Sequence, residues 1–367
     1  MKKIITKIIN FIYSIFKIKE NKIIFESGRG KVDDNPLAIY RYLKNNSDKY
    51  ELKYLTGKNT DTSSLDKKDI CYYKTLKGLY HLATAKYLIK SQSTKNIIEK
   101  RKDQVYIQTW HGCGVGKKMG NDVTGHIGIV DHAKDWDYLI ATDKYNKKVM
   151  CSSTGIDESI AKIVGGATTD FIVNHTKEDV ERIKNKLNLK TNKKIVLYAP
   201  TFRDKELGTK VNVPIMKLAS LKDYIFLIRL HPLMKNGLDL DKMPSNFIDV
   251  CDYPDIQDLL IISDILITDY SSTYFNFALL NRPMIFYVYD YDTYMSERGY
   301  YVDYKKCVPG SIVYTEDELV KTLTSKELYS KNNKDKIKEF NKKYNSYNDG
   351  KVCKRFLELL DEGYFKK

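Results

Sequence analysis

The chain has 367 residues, 42% of them hydrophobic, and carries 62 basic against 47 acidic side chains, a formal charge of +15. This length predicts two domains, and the hydrophobic content excludes a mostly disordered chain. The positive charge favours an anionic partner, which could be a nucleic acid, an anionic lipid or a phosphorylated substrate. Because the lysines are spread along the whole chain, we do not expect a dedicated nucleic-acid-binding tail.

The first 17 residues have the pattern of an amphipathic helix. Apolar residues recur every three or four positions, and lysines occupy the opposite face. Lys7 interrupts the apolar run, which excludes a signal peptide, and the run is too short to span a bilayer. The pattern predicts a helix in the interface of an anionic membrane, on its cytoplasmic face. A helix packed on the protein's own surface is the alternative.

Strands and helices alternate along the rest of the chain, which is typical of open parallel sheets. In the first half we predict strands at 22–26, 50–55, 70–73, 87–90, 105–110 and 136–141, and helices at 36–43, 76–84 and 142–151. In the second half we predict strands at 194–198, 224–230, 265–268 and 284–289, and helices at 177–189, 255–262 and 271–280. The predicted fold is α/β, with two doubly wound domains that meet near residue 175 and a ligand in the cleft between them.

The segment from Ile107 to Lys118 carries the strongest functional signal in the first half. A buried strand ends at His111 and is followed by Gly112, Gly114 and two lysines. This arrangement places an imidazole beside backbone that a phosphate can approach closely. The spacing fits neither a Walker loop nor a dinucleotide fingerprint. His111 is therefore a candidate general base, with an ordinary glycine-rich turn as the alternative.

Three strands of the second half end in polar signatures, whose residues converge at the carboxyl edge of a parallel sheet. The signatures are Pro200-Thr201-Phe202-Arg203, Arg229-Leu230-His231-Pro232 and Thr268-Asp269-Tyr270-Ser271-Ser272. Ser271 and Ser272 begin a predicted helix, and their hydroxyls form a candidate diphosphate site. Arg229 offers a guanidinium fork and His231 a second imidazole. A helix cap for Ser271 and a salt bridge for Arg229 are the ordinary alternatives.

No metal and no other cofactor is expected. The six cysteines form no Cys-x-x-Cys pair and no metal-ligand spacing, so reduced thiols are the simplest interpretation. Asp290 and Asp292 imitate a metal-binding Asp-x-Asp pair. Serine, arginine and histidine already supply the charge neutralisation that such a metal would provide.

Together these motifs resemble the CDP-glycerol glycerophosphotransferases of wall teichoic acid synthesis. The resemblance covers nearly the whole chain. It includes Thr109-Trp110-His111-Gly112, the three strand-end signatures, Asp34-Asn35-Pro36, the run from Glu297 to Asp303, and Asp349-Gly350-Lys351. It implies a GT-B architecture with a membrane-associating helix at 1–20, an acceptor-side domain at 21–175 and a donor domain at 176–367. It also implies CDP-glycerol or a related CDP-polyol as donor and a polyprenyl-diphosphate-linked acceptor.

The chain departs from the family pattern at three places. His-Gly is followed by Cys113-Gly114-Val115-Gly116 where the family usually has Thr-Pro-Leu-Lys. Asn276 stands where the family tends to carry an acidic residue, expected near the polyol end of the donor. The usual Pro-Arg-Asn-Asp signature is reduced to Ala167-Thr168-Thr169-Asp170.

The predicted reaction is the attack of an acceptor hydroxyl on the polyol-bearing phosphorus of CDP-glycerol, with release of CMP. His111 is the expected base, and His231, Arg229, Ser271 and Ser272 hold the diphosphate. Pro200, Thr201 and Arg203 belong to the same donor site. The alternatives are a CDP-ribitol phosphotransferase, a sugar-nucleotide glycosyltransferase of the same architecture, and a basic membrane-surface or RNA-binding protein. The short amino-terminal region favours a primase or short-chain enzyme over a polymerase.

Overall fold

The computed structural model describes residues 11, 13–92, 100–112, 114–123, 128–201, 203, 213–230 and 243–367. Two compact units divide the chain. Unit 1 comprises residues 1–112, 119–170 and 347–367, and unit 2 comprises residues 113–118 and 171–346. The predicted amphipathic helix lies mostly outside the described residues and stays a prediction. No helix of the described ranges has the length and apolar content that crossing a bilayer requires.

The described secondary structure alternates as the sequence pattern predicted. The strands are β1 (Lys19–Glu26), β2 (Glu51–Thr56), β3 (Ile70–Tyr72), β4 (Ala85–Lys90), β5 (Val105–Gln108), β6 (Tyr138–Ala141), β7 (Ala161–Ile163), β8 (Lys194–Tyr198), β9 (Tyr224–Ile228), β10 (Phe247–Asp249), β11 (Ile265–Thr268), β12 (Met284–Tyr287) and β13 (Ser311–Val313). The α-helices are α1 (Asp34–Asn46), α2 (Leu76–Thr84), α3 (Gly128–Ala133), α4 (Lys144–Thr154), α5 (Thr169–Asn174), α6 (Lys177–Lys186), α7 (Ile215–Ala219), α8 (Ile256–Ile262), α9 (Thr273–Ala278), α10 (Tyr291–Glu297), α11 (Tyr304–Cys307), α12 (Glu316–Thr324), α13 (Lys331–Tyr344) and α14 (Val352–Asp361).

Unit 1 contains a seven-stranded sheet in the order β3-β2-β1-β4-β5-β6-β7. The neighbouring strands pair in parallel. Every residue of β5 is buried, which explains its continuous apolar run and fits a strand covered on both faces. The strand order reverses between β1 and β4. In open parallel sheets, ligands bind outside the carboxyl ends of the strands near such a reversal.

Unit 2 repeats this arrangement with a six-stranded parallel sheet in the order β10-β9-β8-β11-β12-β13. Its strand order reverses between β8 and β11. The Pro200–Arg203 signature therefore follows one strand at the reversal, and the Thr268–Ser272 signature follows the other. The prediction of α/β units with parallel sheets is confirmed.

The boundaries of the units differ from the sequence-based division at 175. The first unit ends at Asp170, and residues 347–367 return to it instead of remaining with 176–367. Helix α14 explains the return, because Val352, Cys353 and Phe356 are buried in the core of unit 1. The Asp170 carboxylate also accepts the backbone N–H groups of Val352 at 2.8 Å and Cys353 at 2.7 Å, which fixes the start of this helix.

Three short edge strands were missed in the sequence. β7, β10 and β13 have three residues each, too few to show a period in the pattern of apolar residues. The predicted strands at 105–110 and 224–230 are too long at their carboxyl ends, because Trp110 and Arg229 already belong to the loops of the candidate site.

Candidate functional site

His111 lies at the carboxyl end of the buried strand β5, in a turn of unusual backbone geometry. Trp110 has φ of +56° and Gly112 has φ of +75°. The left-handed conformation is disfavoured for a residue as bulky as tryptophan, so its presence here marks a constrained turn. The turn leaves His111 exposed, with its ring stacked on that of Trp110 at 4.4 Å between centroids. The predicted base is thus available to a ligand from solvent.

The glycines that follow His111 are required by packing within unit 2. A Cβ at Gly114 would lie 2.3 Å from the ring of Phe275, and one at Gly116 would lie 2.0 Å from the hydroxyl of Tyr300. Lys117 also forms an antiparallel bridge with Tyr300. The family departure at this segment therefore admits two aromatic rings. The structure gives Gly114 a packing role where the sequence predicted a phosphate contact, whereas Gly112 serves the His111 turn.

Arg203 is the centre of a buried ion cluster in unit 2. Its Nε and Nη2 donate to the Asp290 carboxylate at 2.6 and 3.0 Å. Its Nη1 donates to Asp269 at 2.8 Å and to the carbonyl of Thr201 at 2.7 Å. Arg203 is only 7% exposed. These contacts make Arg203 a link between the strand-end loops, and its predicted direct contact with the diphosphate stays a prediction.

Aromatic rings complete this cluster. The guanidinium carbon of Arg203 lies 5.1 Å from the ring centroids of both Tyr270 and Tyr294, and these rings stack on each other at 3.7 Å. Burial alone would lower the pKa of Arg203, but the charges of Asp269 and Asp290 raise it above its ordinary value. The cation is therefore permanent and is stabilised by both carboxylates and π-faces. The tyrosines and Asp290 were not assigned this role in the sequence.

Thr201 joins two of the strand-end signatures. Its backbone N–H donates to Asp269 at 2.8 Å, so the loop after β8 is fixed to the loop after β11. Its side chain is 6% exposed, and its Oγ1 has no hydrogen-bond partner in the described part of the chain. Pro200, the preceding residue, is half-buried. Sequence reasoning placed both residues in the donor site, and the structure places them at the carboxyl edge of the second sheet.

Arg229 follows β9 and the serine pair follows β11, the two strands that flank β8 in the sheet. The Nη1 of Arg229 donates to the carbonyls of Val250 at 3.0 Å and Tyr253 at 2.6 Å, which orients the guanidinium. Ser271 and Ser272 are half-buried at the start of α9. The Ser272 side chain makes no capping hydrogen bond, in contrast to an ordinary N-cap serine.

Asn276 lies one turn into α9 and is 3% exposed. Its Nδ2 donates to Oε1 of Gln257 on α8 at 3.0 Å, and its Oδ1 has no partner among the described residues. A buried carbonyl oxygen without a donor costs stability. The departure from the family's acidic residue therefore leaves a neutral amide pair, of which Gln257 was not foreseen.

Two residues of interest lie outside the described residues. His231, the second predicted catalytic imidazole, belongs to the range 231–242, and Cys113 is also excluded. The role of His231 stays a prediction. Within the described ranges, no cluster of His, Cys, Asp and Glu side chains could hold a metal ion. Asp290, half of the Asp-x-Asp pair, already accepts from Arg203 and from the hydroxyl of Tyr270 at 3.1 Å.

Comparisons with known proteins identify the family. Residues 8–362 match the family described as CDP-glycerol:poly(glycerophosphate) glycerophosphotransferase. A teichoic acid poly(glycerol phosphate) polymerase of Bacillus spizizenii is 32% identical, over 98% of this chain and 97% of that protein. A teichoic acid glycerol-phosphate transferase of Staphylococcus aureus is also 32% identical, over 98% of this chain and 99% of that protein.

Structural similarity agrees with this result. A solved structure of the wall teichoic acid polymerase TagF matches with a TM-score of 0.86 at 28% identity, over 98% of this chain and 93% of that chain. The family predicted from the strand-end motifs is confirmed. The chain belongs to the CDP-glycerol:poly(glycerophosphate) glycerophosphotransferases.

Proposed function

We propose that this enzyme transfers glycerol phosphate from CDP-glycerol to a hydroxyl of a lipid-linked saccharide or of a growing poly(glycerol phosphate) chain. The oxygen–phosphorus bond to the acceptor forms as the bond to CMP breaks. The acceptor hydroxyl loses its proton, and CMP carries away the charge of the broken bond. The observation that carries the proposal is the exposed imidazole of His111 at the carboxyl end of a buried strand. The teichoic acid enzymes that are similar to this chain support a role in the same pathway.

His111 of unit 1 is the base in this proposal. It accepts the proton of the acceptor hydroxyl during attack, which is the task that imidazole performs best near neutral pH. Phosphoryl transfer needs alignment and charge neutralisation more than covalent chemistry. A GT-B architecture, with the acceptor on unit 1 and the donor on unit 2, is supported by the two parallel sheets with matching strand order.

The donor diphosphate is assigned to unit 2 at the reversal of its strand order. Ser271 and Ser272 donate their hydroxyl hydrogens to the phosphate oxygens, and Arg229 contributes positive charge. His231 is assigned to the leaving CMP on the sequence signature alone. Arg203 supports this site indirectly, because its pair with Asp269 fixes the loop that carries Ser271 and Ser272, and its pair with Asp290 joins that loop to the segment after β12.

A peripheral location on an anionic, cytoplasmic membrane face belongs to the same proposal. Phe11 and Ile15 are 70% and 71% exposed, whereas Tyr13 between them is 8% exposed and packs into unit 1. Arg101 anchors this stretch, since its Nη1 donates to the carbonyl of Phe16 at 2.7 Å. Leu76, at the start of α2, is 85% exposed. Such exposed apolar side chains beside lysines suit a lipid interface.

Product analysis tests the function. Purified full-length protein is incubated with CDP-glycerol, CDP-ribitol or a UDP-sugar and a defined polyprenyl-diphosphate disaccharide, and the products are identified by mass spectrometry. We expect CMP and glycerol phosphate addition with CDP-glycerol, and product length distinguishes priming from polymerisation. Release of UDP, or addition of ribitol phosphate in place of glycerol phosphate, contradicts the proposal.

Vesicle flotation tests the location separately. Wild type is compared with a double variant, Ile15→Ser and Leu76→Ser, on vesicles with and without anionic lipid. We expect wild type to float with anionic vesicles and the double variant to bind less. Equal flotation of the two proteins removes these side chains from the membrane contact.

A further inference from the structure

The side chain of Asn35 lies beside the turn that carries His111. Asn35 is 2% exposed, and its Nδ2 donates to the carbonyl oxygens of Thr109 at 3.0 Å and Trp110 at 3.1 Å. Its Oδ1 accepts the backbone N–H of Thr168 at 3.1 Å. None of these bonds lies within α1, the helix to which Asn35 belongs. The amide nitrogen of Asn35 therefore binds the His111 turn, and the amide oxygen binds the segment that contains Thr168.

The two bonds to the turn depend on the unusual conformation of Trp110. Consecutive carbonyls of an extended strand point in opposite directions, so one amide group cannot reach both. The φ of +56° at Trp110 directs the carbonyls of Thr109 and Trp110 toward the same side. Asn35 thus donates to the buried carbonyl of Thr109 and the half-buried carbonyl of Trp110, and it stabilises a backbone conformation that a tryptophan rarely adopts.

The same turn fixes the environment of His111. The imidazole is exposed but stacks on the indole of Trp110, at 4.4 Å between centroids and an interplanar angle of 28°. The indole also meets Trp136 in an edge-to-face contact, at 6.4 Å between ring centroids. The position of the Trp110 ring follows from its backbone, and Asn35 holds that backbone. A chain of contacts therefore runs from the Asn35 amide to the imidazole.

We propose that Asn35 is a positioning residue for glycerol phosphate transfer, which holds His111 in the orientation that accepts the proton of the acceptor hydroxyl. This inference rests on the proposed role of His111 as the base. Asn35 does not touch the reacting atoms. Its effect is on the rate of transfer, because displacement of a catalytic group by about 1 Å can lower the rate about 100-fold.

The variant Asn35→Asp separates the two ends of the amide. Aspartate keeps an oxygen for the N–H of Thr168 but places a second oxygen against the carbonyls of Thr109 and Trp110. We expect kcat for CMP release to fall about 100-fold, with the Michaelis constant for CDP-glycerol unchanged. Should Asn35→Asp fail to fold, Asn35→Ala removes the two bonds to the turn without adding a charge. It also removes the bond from Thr168, and the same loss of kcat is expected.

Asn348→Ala is the matched control. Asn348 is 3% exposed, and its Oδ1 accepts the backbone N–H of Gly166 at 2.8 Å. Its loss loosens the same segment that contains Thr168 but leaves the His111 turn intact. We expect Asn348→Ala to lower the thermal midpoint while keeping wild-type kcat. Equal losses of kcat in Asn348→Ala and Asn35→Asp overturn the inference, since the loosened segment then accounts for both.

A double variant tests whether the effect passes through His111. Asn35→Asp combined with His111→Ala should have the same residual rate as His111→Ala alone, because no imidazole remains to be positioned. A further loss in the double variant overturns the inference. If Asn35→Asp keeps wild-type kcat while His111→Ala loses it, Asn35 has no positioning role and the proposed base stands. If His111→Ala keeps wild-type kcat, the proposed base itself fails.

Discussion

The carboxyl edges of the two sheets use their signature residues in opposite ways. In unit 1, β5 is followed by a turn that carries an exposed histidine and a tryptophan in the left-handed backbone conformation. In unit 2, β8 is followed by a buried arginine that two aspartates and a group of tyrosine rings enclose. The first arrangement presents a reactive group to solvent. The second arrangement buries charged groups away from solvent.

This contrast separates two meanings of a strand-end motif. A polar residue can follow a strand because it contacts the substrate, or because it fixes the loops that contact the substrate. We propose that His111 belongs to the first class and Arg203 to the second, although both lie in motifs of the same kind. Loss of the first should reduce the rate of a folded enzyme, whereas loss of the second should reduce the stability of the fold.

The largest effect is expected for His111→Ala. Loss of a positioned base typically lowers the rate by about 100- to 10,000-fold. Because His111 is exposed, the thermal midpoint should not change, and CDP-glycerol should still bind. Turnover is followed by CMP release, and donor affinity by calorimetry. A variant that keeps more than about a tenth of wild-type turnover, well above what loss of a base allows, contradicts the assignment.

The next effect concerns the buried cluster of unit 2. Asp269→Ala leaves Arg203 with one carboxylate instead of two and removes the acceptor of the Thr201 N–H. Breaking a buried ion pair in this way costs about 3–5 kcal/mol. Chemical denaturation should show a loss of this size. Asp131→Ala is the control, because its pair with Lys134 is exposed at both side chains and should contribute under about 1 kcal/mol. Equal losses would contradict the architectural role of the cluster.

The positions of the polar strand-end loops could be predicted from the sequence, but the contacts that their residues make could not. The ends of β8 and β11 were predictable, because their apolar runs stop where polar residues begin. The pairing of Arg203 with Asp290 was not predictable, because Asp290 is distant in the chain and the pairing depends on the order of strands in the sheet. The return of α14 to unit 1 was hidden for the same reason. Gly114 looked like a phosphate contact, since spacing alone does not reveal the ring of Phe275.

A smaller effect should follow Gly114→Ala. The added Cβ would lie 2.3 Å from the Phe275 ring, so the ring or the segment must move. Overpacking of this kind costs about 1–3 kcal/mol, measurable by chemical denaturation. Gly57→Ala is the control, because its Cβ would lie 3.1 Å from the nearest atom, the Oγ1 of Thr60. Phe275→Ala combined with Gly114→Ala should cost less than the sum of the two single losses, because alanine lacks the ring atoms that the added Cβ meets. If Gly114→Ala is as stable as wild type, packing does not explain this glycine.

The smallest effect is expected for His81 in α2. This residue is 9% exposed and lies beside Glu51, Lys22, Lys53 and Lys77. Burial, followed by the charges of Lys22 and Lys53, lowers the pKa of His81 to about 4 from an ordinary 6.5. The unfolded chain therefore binds a proton between these pH values and the folded protein does not. Stability that is present above pH 6.5 is lost as the pH falls through 4.

His81→Leu should remove this loss, because leucine takes up no proton in either state. Denaturation at pH 8 and at pH 5 should show wild type losing about 1 kcal/mol more than the variant, after allowance for solvent screening. The pKa of Glu51 is also lowered: burial raises it, but Lys19 and Lys22 outweigh that effect. Glu51 is present in both proteins, so the difference between their pH profiles reports His81. Parallel pH profiles for the two proteins would show that His81 binds protons equally in the folded and unfolded states, and the acid sensitivity would then have to come from the carboxylates.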